Sequence, residues 1–208
     1  MLIGLQIITM KNLNSITVTI PTLNEEKNIL SCIKSIKKSG IKNIIVIDGG
    51  STDNTINLLK KIKNIKIFKA NKKGLAYQRK LGVLNSKTKF TALIDADMRV
   101  TKNSFKIMYK DLIKSSYAGV TAFVKSNKID NYFDKSYQQI QNININRSGP
   151  RRMIGTPTLW YTKILKKNNF DPFFTGPSDD TDLCYRIYKK GFIFGASKAV
   201  VKHVHIKF

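Results

Sequence analysis

Apolar positions along the first half of the chain follow two rhythms in alternation. "SITVTI" (15–20, ended by Pro21), "NIIVID" (43–48), "IKIFKA" (65–70) and "FTALID" (90–95) are short runs rich in β-branched residues and bounded by turn formers. Between them the apolar positions fall three and four apart. Ile29, Ile33 and Ile36 mark a helix over 25–38, with Asn24 as its N-cap and Gly40 as its stop. The same spacing predicts helices over 53–63, with Ser51 or Thr52 as cap, over 74–85 and over 102–114. Strands this continuously apolar, alternating with helices, predict an α/β fold. It would be a mostly parallel central sheet flanked by helices on both faces, with right-handed crossovers.

The second half is less regular. "AGVTAFV" (118–124) reads as a strand, 129–146 as one helix, 147–158 as an arginine-bearing loop, 162–168 and 176–191 as helices, and "VVKHVHI" (200–206) as a closing strand. No internal repeat or low-complexity linker interrupts the chain, so 1–208 is read as a single domain. The opening "MLIGLQIITM" is apolar but has neither a basic leader nor a small-residue cleavage site, and is not read as a signal peptide. Met10 offers an alternative start, and residues 1–14 are expected to be poorly ordered. No apolar stretch approaches the ~18 residues of a membrane span. Cys32 and Cys184 fall in predicted helices and read as small core residues of a reduced compartment.

Charge changes the picture. The chain carries 37 basic and 13 acidic residues, a formal charge of +24. That balance suggests a polyanionic partner: nucleic acid, anionic lipid or a phosphorylated substrate. A codon bias toward Lys, Asn and Ile would produce part of the same excess on solvated faces. The acids are more informative. Nine of the 13 fall in four stretches, at Glu25 and Glu26, Asp48 and Asp53, Asp95 and Asp97, and Asp179, Asp180 and Asp182. Clustered carboxylates repel one another unless a cation or a base offsets them. Ligands of open parallel sheets bind beyond the carboxyl ends of the strands. Glu25, Asp48, Asp95 and Asp97 all follow strand ends, so they are expected to converge on one rim.

Asp95 and Asp97 are two apart and project to the same side of an extended backbone. Two hard oxygen ligands suit magnesium or manganese; the competing reading is a solvated turn. His203 and His205 are the only histidines and again lie two apart, either as an imidazole donor to the same metal or as structural residues. Asp179-Asp180 opens a helix, where acids complement the macrodipole and Asp182 can pair with Arg186. The functional alternative makes one of these carboxylates a general base. Arg79, Arg99, Arg147, Arg151 and Arg152 stand out from a lysine background because arginine grips phosphate bidentately. Arg151-Arg152, in a Gly/Pro loop, reads as a diphosphate clamp or as a solvated loop. Trp160 and Tyr161 read as a sugar-stacking platform or as core.

"TIPTLNEEKNI", "VIDGGSTDNT", "KGLAYQRKLGV", "LIDADM", "NNFDPFFTGPSDDTDLCYRIYKKGF" and "AVVKHVHI" occur in that order. Together, over about residues 16–206, they resemble the family-2 inverting glycosyltransferases of GT-A fold. The resemblance implies that Pro21, Thr22, Asn24 and Glu25 form the first nucleotide-contacting loop and that Asp48 reads the base. Lys73 and Arg79 would contact base or phosphate. Asp95-Ala96-Asp97 would be the D-x-D motif, with Asp95 near ribose and metal and Asp97 on the cation. Asp179-Asp180 is similar to the family's Glu-Asp pair, with Asp180 as base and an Asp where Glu is usual at 179. His203 would complete the site of a manganese or magnesium ion, ahead of His205. The implied reaction is in-line transfer of a sugar from a UDP or GDP sugar to an acceptor hydroxyl.

The acceptor would be a glycan or lipid-linked, chosen by the segment 125–160. The protein is expected in the cytoplasm or at the cytoplasmic face of an anionic membrane. A polyprenyl- or dolichyl-phosphate sugar synthase is the alternative enzyme. Its acceptor is already a phosphate and needs no base, so the Asp179-Asp180 helix and His203 argue against it while the lysines argue for it. A nucleic-acid or polyanion-binding protein explains the charge but not the carboxylate clusters, which would repel phosphate. No nucleic-acid partner is expected.

Overall fold

The computed structural model describes residues 10–126, 139, 149–151, 154–174 and 178–204. Strands β1 (Ile16–Thr22), β2 (Asn43–Asp48), β3 (Lys66–Lys69) and β4 (Phe90–Leu93) run parallel in the order β3-β2-β1-β4. Helices α2 (Ile29–Lys38), α3 (Thr55–Lys60) and α4 (Leu75–Asn85) connect them, as the apolar rhythm predicts. Helix α2 begins four residues later than predicted. Asn24 adopts φ 56°, and the N–H groups of Asn28 and Ile29 both bond the Glu25 carbonyl, at 2.9 and 2.8 Å. Residues 23–28 are therefore a loop.

Beyond β4 the sheet continues β4-β8-β6-β9-β5. Here β5 is Met98–Val100, β6 Gly119–Ser126, β8 Thr158–Tyr161 and β9 Phe194–His203, with β7 (Pro150–Arg151) also on β9. β9 runs parallel to β6, whereas β8 is antiparallel to β4 and β6 and β9 is antiparallel to β5 and β7. Helices α5 (Ser104–Ile113), α6 (Thr162–Asn168) and α7 (Asp179–Tyr188) complete the second half.

Several expectations change. Of the span 1–14, residues 1–9 lie outside the described residues, whereas Met10–Leu13 form a short helix, α1, and Leu13 is fully buried in the core. β8 lies partly in the span read as a loop, and β9 starts at 194 rather than 200, its first half hidden in the sequence where Gly195 and Ser197 break up the apolar run. The helix expected over 129–146, together with Arg147, Arg152 and His205, lies outside the described residues.

The sheet is covered on both faces. Ile16, Val18 and Ile20 of β1 pack with Ile29, Ile33 and Ile36 of α2 and with Phe105, Met108 and Leu112 of α5. On the other face α4 approaches β1 so closely that a Cβ at Gly82 would lie 2.9 Å from the Thr19 side chain. Trp160 belongs to this second core. It is 1% exposed, its ring meets Phe194 at 5.3 Å, and its indole N–H donates to Thr158 at 2.9 Å. The period of two along β8 turns Thr158 and Trp160 to the same inner face, so Trp160 is core and is not a platform for an acceptor sugar.

Both thiols are buried. Burial pushes Cys32 up to about 12 and Cys184 up to about 11. Because the thiolate is the reactive form, neither should be alkylated by iodoacetamide at pH 8 in the folded protein, and both should be in urea. Mass spectrometry of the two labelled samples checks this.

Candidate active site

β1 and β2 end level with each other, and β4 ends on the same edge three residues lower. Thr22 pairs with Asp48 and Thr19 with Leu93, so the loops after β1, β2 and β4 emerge side by side. The first two loops hold each other. Asn24 Oδ1 accepts from Thr52 N at 2.8 Å, and Asn24 N donates to Ser51 Oγ at 2.9 Å. Glu26 N donates to Asp53 Oδ2 and Asn54 N donates to Glu26 Oε2, both at 3.0 Å. Glu25 N donates to Thr55 Oγ1 at 2.8 Å. Asp48 is buried and shapes its own turn, accepting from Gly50 N at 3.0 Å and from the Ser51 hydroxyl at 2.6 Å. Beneath them Gln78 of α4 donates to the carbonyls of Thr22 and Ile47, at 2.8 and 2.9 Å, and ties the two strand ends together.

Arg79, one residue on, is 5% exposed. Its Nη1 donates to both oxygens of Asp179, at 2.8 and 2.9 Å, and Nη2 donates to Asp95 Oδ1 at 3.2 Å. Phe170 covers it, with the guanidinium carbon 5.9 Å from the ring centre, and its Nε is buried without a partner. The expected contact of Arg79 with base or phosphate is thus replaced by a bridge between two carboxylates 84 residues apart in the chain. Burial works against the charged guanidinium, but the two carboxylates overcome it and hold Arg79 above its ordinary value. Asp179 is 1% exposed, and burial raises its carboxyl against the pull of Arg79.

Asp95 also accepts from Thr156 Oγ1 at 2.6 Å, so both of its oxygens are engaged by protein. Asp97 is differently placed. Its Oδ2 lies 2.8 Å from His203 Nε2, and its Oδ1 is buried with no hydrogen-bond partner. The register Met98↔His203 between β5 and β9 brings the two side chains together. Arg99 braces this turn from the protein side. It donates to the carbonyls of Ala96 and Met98, at 3.0 and 2.9 Å, and to Asn28 Oδ1 at 2.9 Å. Its predicted reading as a phosphate ligand therefore gives way to a structural one. Asn28 passes the link on to Glu25 Oε2 at 2.9 Å. Burial raises the Glu25 carboxyl and the charge of Asp97 adds to it, while Asn28 and Arg99 oppose.

Of the predicted metal set, Asp97 and His203 face each other and Asp95 turns to Arg79 and Thr156. Among the described residues no three His, Cys, Asp or Glu side chains are grouped to hold an ion. The unpartnered buried oxygen of Asp97 beside an imidazole nonetheless fits a divalent cation that takes its other ligands from water and phosphate.

Asp180 is half-buried, and its Oδ1 accepts from Thr181 N at 2.8 Å. Among the described residues no cation pairs with it. Its Oδ2 lies where a Cβ on Gly155 would come within 2.7 Å, so a larger residue at 155 would force the carboxylate to shift. Lys73 is exposed just before α4, and Arg151 sits in β7 opposite Phe194. Sequence reasoning missed Gln78, Asn28, Gly155 and Thr156. The first two carry no charge signal, and the other two lie in a span read as a loop.

Replacing Arg79 with Met leaves Asp179 buried and unpaired, which should cost about 3–5 kcal/mol in urea unfolding. The double variant Arg79→Met/Asp179→Leu should recover much of that loss.

Comparison with known proteins gives the family. The model of glycosyl transferase family 2 matches residues 17–177. An uncharacterized glycosyltransferase of Rickettsia conorii is 29% identical over 198 residues, covering 92% of this chain and 33% of the relative. The chain thus spans about a third of that curated relative. Among solved structures, S. aureus TarS 1–349 in complex with UDP-GlcNAc superposes with a TM-score of 0.74 at 15% identity, covering 93% of this chain and 59% of TarS. GalNAc-T7 with UDP, GalNAc and Mn2+ gives 0.73 at 14% identity, over 94% of this chain and 44% of the other. At such identities these structures speak for the fold alone, which is that of GT-A glycosyltransferases. Given the match over most of its length, the chain belongs to glycosyl transferase family 2.

Proposed function

We propose that the chain moves a sugar from a nucleoside-diphosphate sugar to an acceptor hydroxyl, with inversion, and that Asp180 is the general base. The difference between the adjacent aspartates carries this reading. Asp179 is buried and clamped by Arg79, whereas Asp180 is partly open and, among the described residues, has no cation beside it. A base must reach the proton it takes and keep a lone pair for it. Of the two, Asp180 is the one open enough to meet this requirement, and Asp179 would fix the start of α7.

The rim from Pro21 to Glu25, with Asp48, offers a wall for the nucleoside, and Lys73 lies exposed near its edge. Asp97 and His203 would hold a manganese or magnesium ion, which would offset the charge of the diphosphate as it departs. Asp95, fixed by Arg79 and Thr156, would face the ribose side. The name of the UDP-GlcNAc complex of TarS favours testing a UDP sugar first. The acceptor, a glycan or a lipid-linked sugar, would lie over Asp180 and Gly155.

The test is calorimetric titration of UDP, then GDP, with and without manganese. Manganese-dependent binding of one nucleotide is expected, and Asp97→Ala should abolish it. Asp180→Asn should keep nucleotide binding and lose roughly 10²–10⁴-fold in donor turnover. Failure of both nucleotides to bind under any metal condition would overturn the reading.

A further inference from the structure

The basic residues outside the rim have a distribution of their own. The ion pairs among the described residues involve Arg79, Arg186 and His203 on the basic side, and no lysine. One cleft is lined by such lysines and by an exposed apolar side chain, and a second exposed apolar residue follows just beyond its edge in the chain. Lys80 and Leu84 of α4, Lys166 and Lys167 of α6, and Asp171 line one open cleft. Leu84 is half exposed, and Phe173, two residues past Asp171, is 84% exposed. The position of Phe173 is built. Its N–H donates to Asp171 Oδ1 at 3.0 Å, and Phe174 N donates to Asp171 O at 3.2 Å. The one acid of the cleft is thereby engaged in forming the turn that presents the ring, and it forms no ion pair with the lysines.

We infer that this face docks on an anionic lipid bilayer, with Phe173 entering the headgroup region and Lys80, Lys166 and Lys167 meeting lipid phosphates. A soluble phosphate would satisfy the lysines but gives no role to an aromatic ring held outward, and a single-stranded nucleic acid is served by a series of stacking rings along a basic groove, whereas this face presents one such ring. An anionic interface takes both, because long lysine stems lie along apolar surface while their ends reach the headgroups. The face is also close to the proposed chemistry. Phe170, three residues before Phe173, covers Arg79, and Asp179 and Asp180 follow on α7. The inference deepens the transferase reading by naming where a lipid-linked acceptor would be met, and its test is separate from nucleotide binding.

The 208-residue chain is sedimented with vesicles of phosphatidylcholine, with or without phosphatidylglycerol. Binding should require phosphatidylglycerol and weaken with salt. Phe173→Ser should lower the partition coefficient about tenfold, and Lys166→Glu/Lys167→Glu at least about tenfold. Both variants should titrate UDP as wild type does. In Phe173→Trp, the added emission should shift to the blue with anionic vesicles, against the constant background of buried Trp160. Binding by Phe173→Ser equal to wild type would overturn the inference. So would an unshifted Phe173→Trp, vesicle binding without phosphatidylglycerol, or no vesicle binding at all. Release by inorganic phosphate beyond that by chloride at equal ionic strength, with Phe173 without effect, would reassign the lysines to a free anion. Loss of UDP binding with vesicle binding intact would count against the transferase reading alone.

Discussion

A guanidinium removed from water and shared between two carboxylates is the constraint on which the rest of the site depends. Burying one charge is costly, and here two are buried, with a third carboxylate partly open, which is tolerable only if the geometry pairs them. Arg79 does this from α4 by reaching the end of β4 at Asp95 and the start of α7 at Asp179. Those elements come from both halves of the chain, so a single side chain fixes how the parallel half of the sheet meets the mixed half. Two anions on one cation leave the centre negative, which suits a rim that would receive a cation. The same clamp separates the neighbours Asp179 and Asp180, which the sequence presents as equals, into a fixed one and an accessible one.

Around that centre the rim is stiffened by hydrogen bonds between loops, where a parallel sheet offers no further ladder. The loops after β1 and β2 exchange backbone and side-chain bonds through Asn24, Glu26, Ser51 and Asp53, and Gln78 closes the gap beneath them. From Glu25 a chain of contacts runs through Asn28 and Arg99 to the turn that bears Asp97. Several side chains that look like ligands in the sequence thus serve as supports as well. Asp48 and Arg99 hold loops in place, and the buried oxygen of Asp97 is the polar atom on the D-x-D turn left without such a duty.

Much of the first half was legible because its inner strands β2 and β4 are near-continuous apolar runs and β1 and β3 are rich in β-branched or aromatic residues, a pattern that reads as a parallel sheet when helices alternate with it. The convergence of Glu25, Asp48, Asp95 and Asp97 on one edge followed from the same pattern. Beyond residue 98 the strands are short or pleated between two faces, as in β5 and β8, and alternation over three or four residues resembles a loop. The roles of the arginines were not legible either. Whether a guanidinium holds phosphate or a protein carboxylate depends on burial, and Arg79 lies inward only because Gln78, Phe170 and Asp179 surround it. Trp160 was ambiguous for a similar reason. Its face is set by a register with β4 that the sequence does not state.

His203 terminates β9 and reaches Asp97 across 106 positions, through the antiparallel pairing of β5 with β9. The two residues best suited to a cation are thus neighbours only after β9 has inserted between β6 and β5. An ion held there would act as a clasp between β5 and β9, and the affinity for it would report on whether those two strands are in register. Chemical competence would then depend on the docking of a single strand.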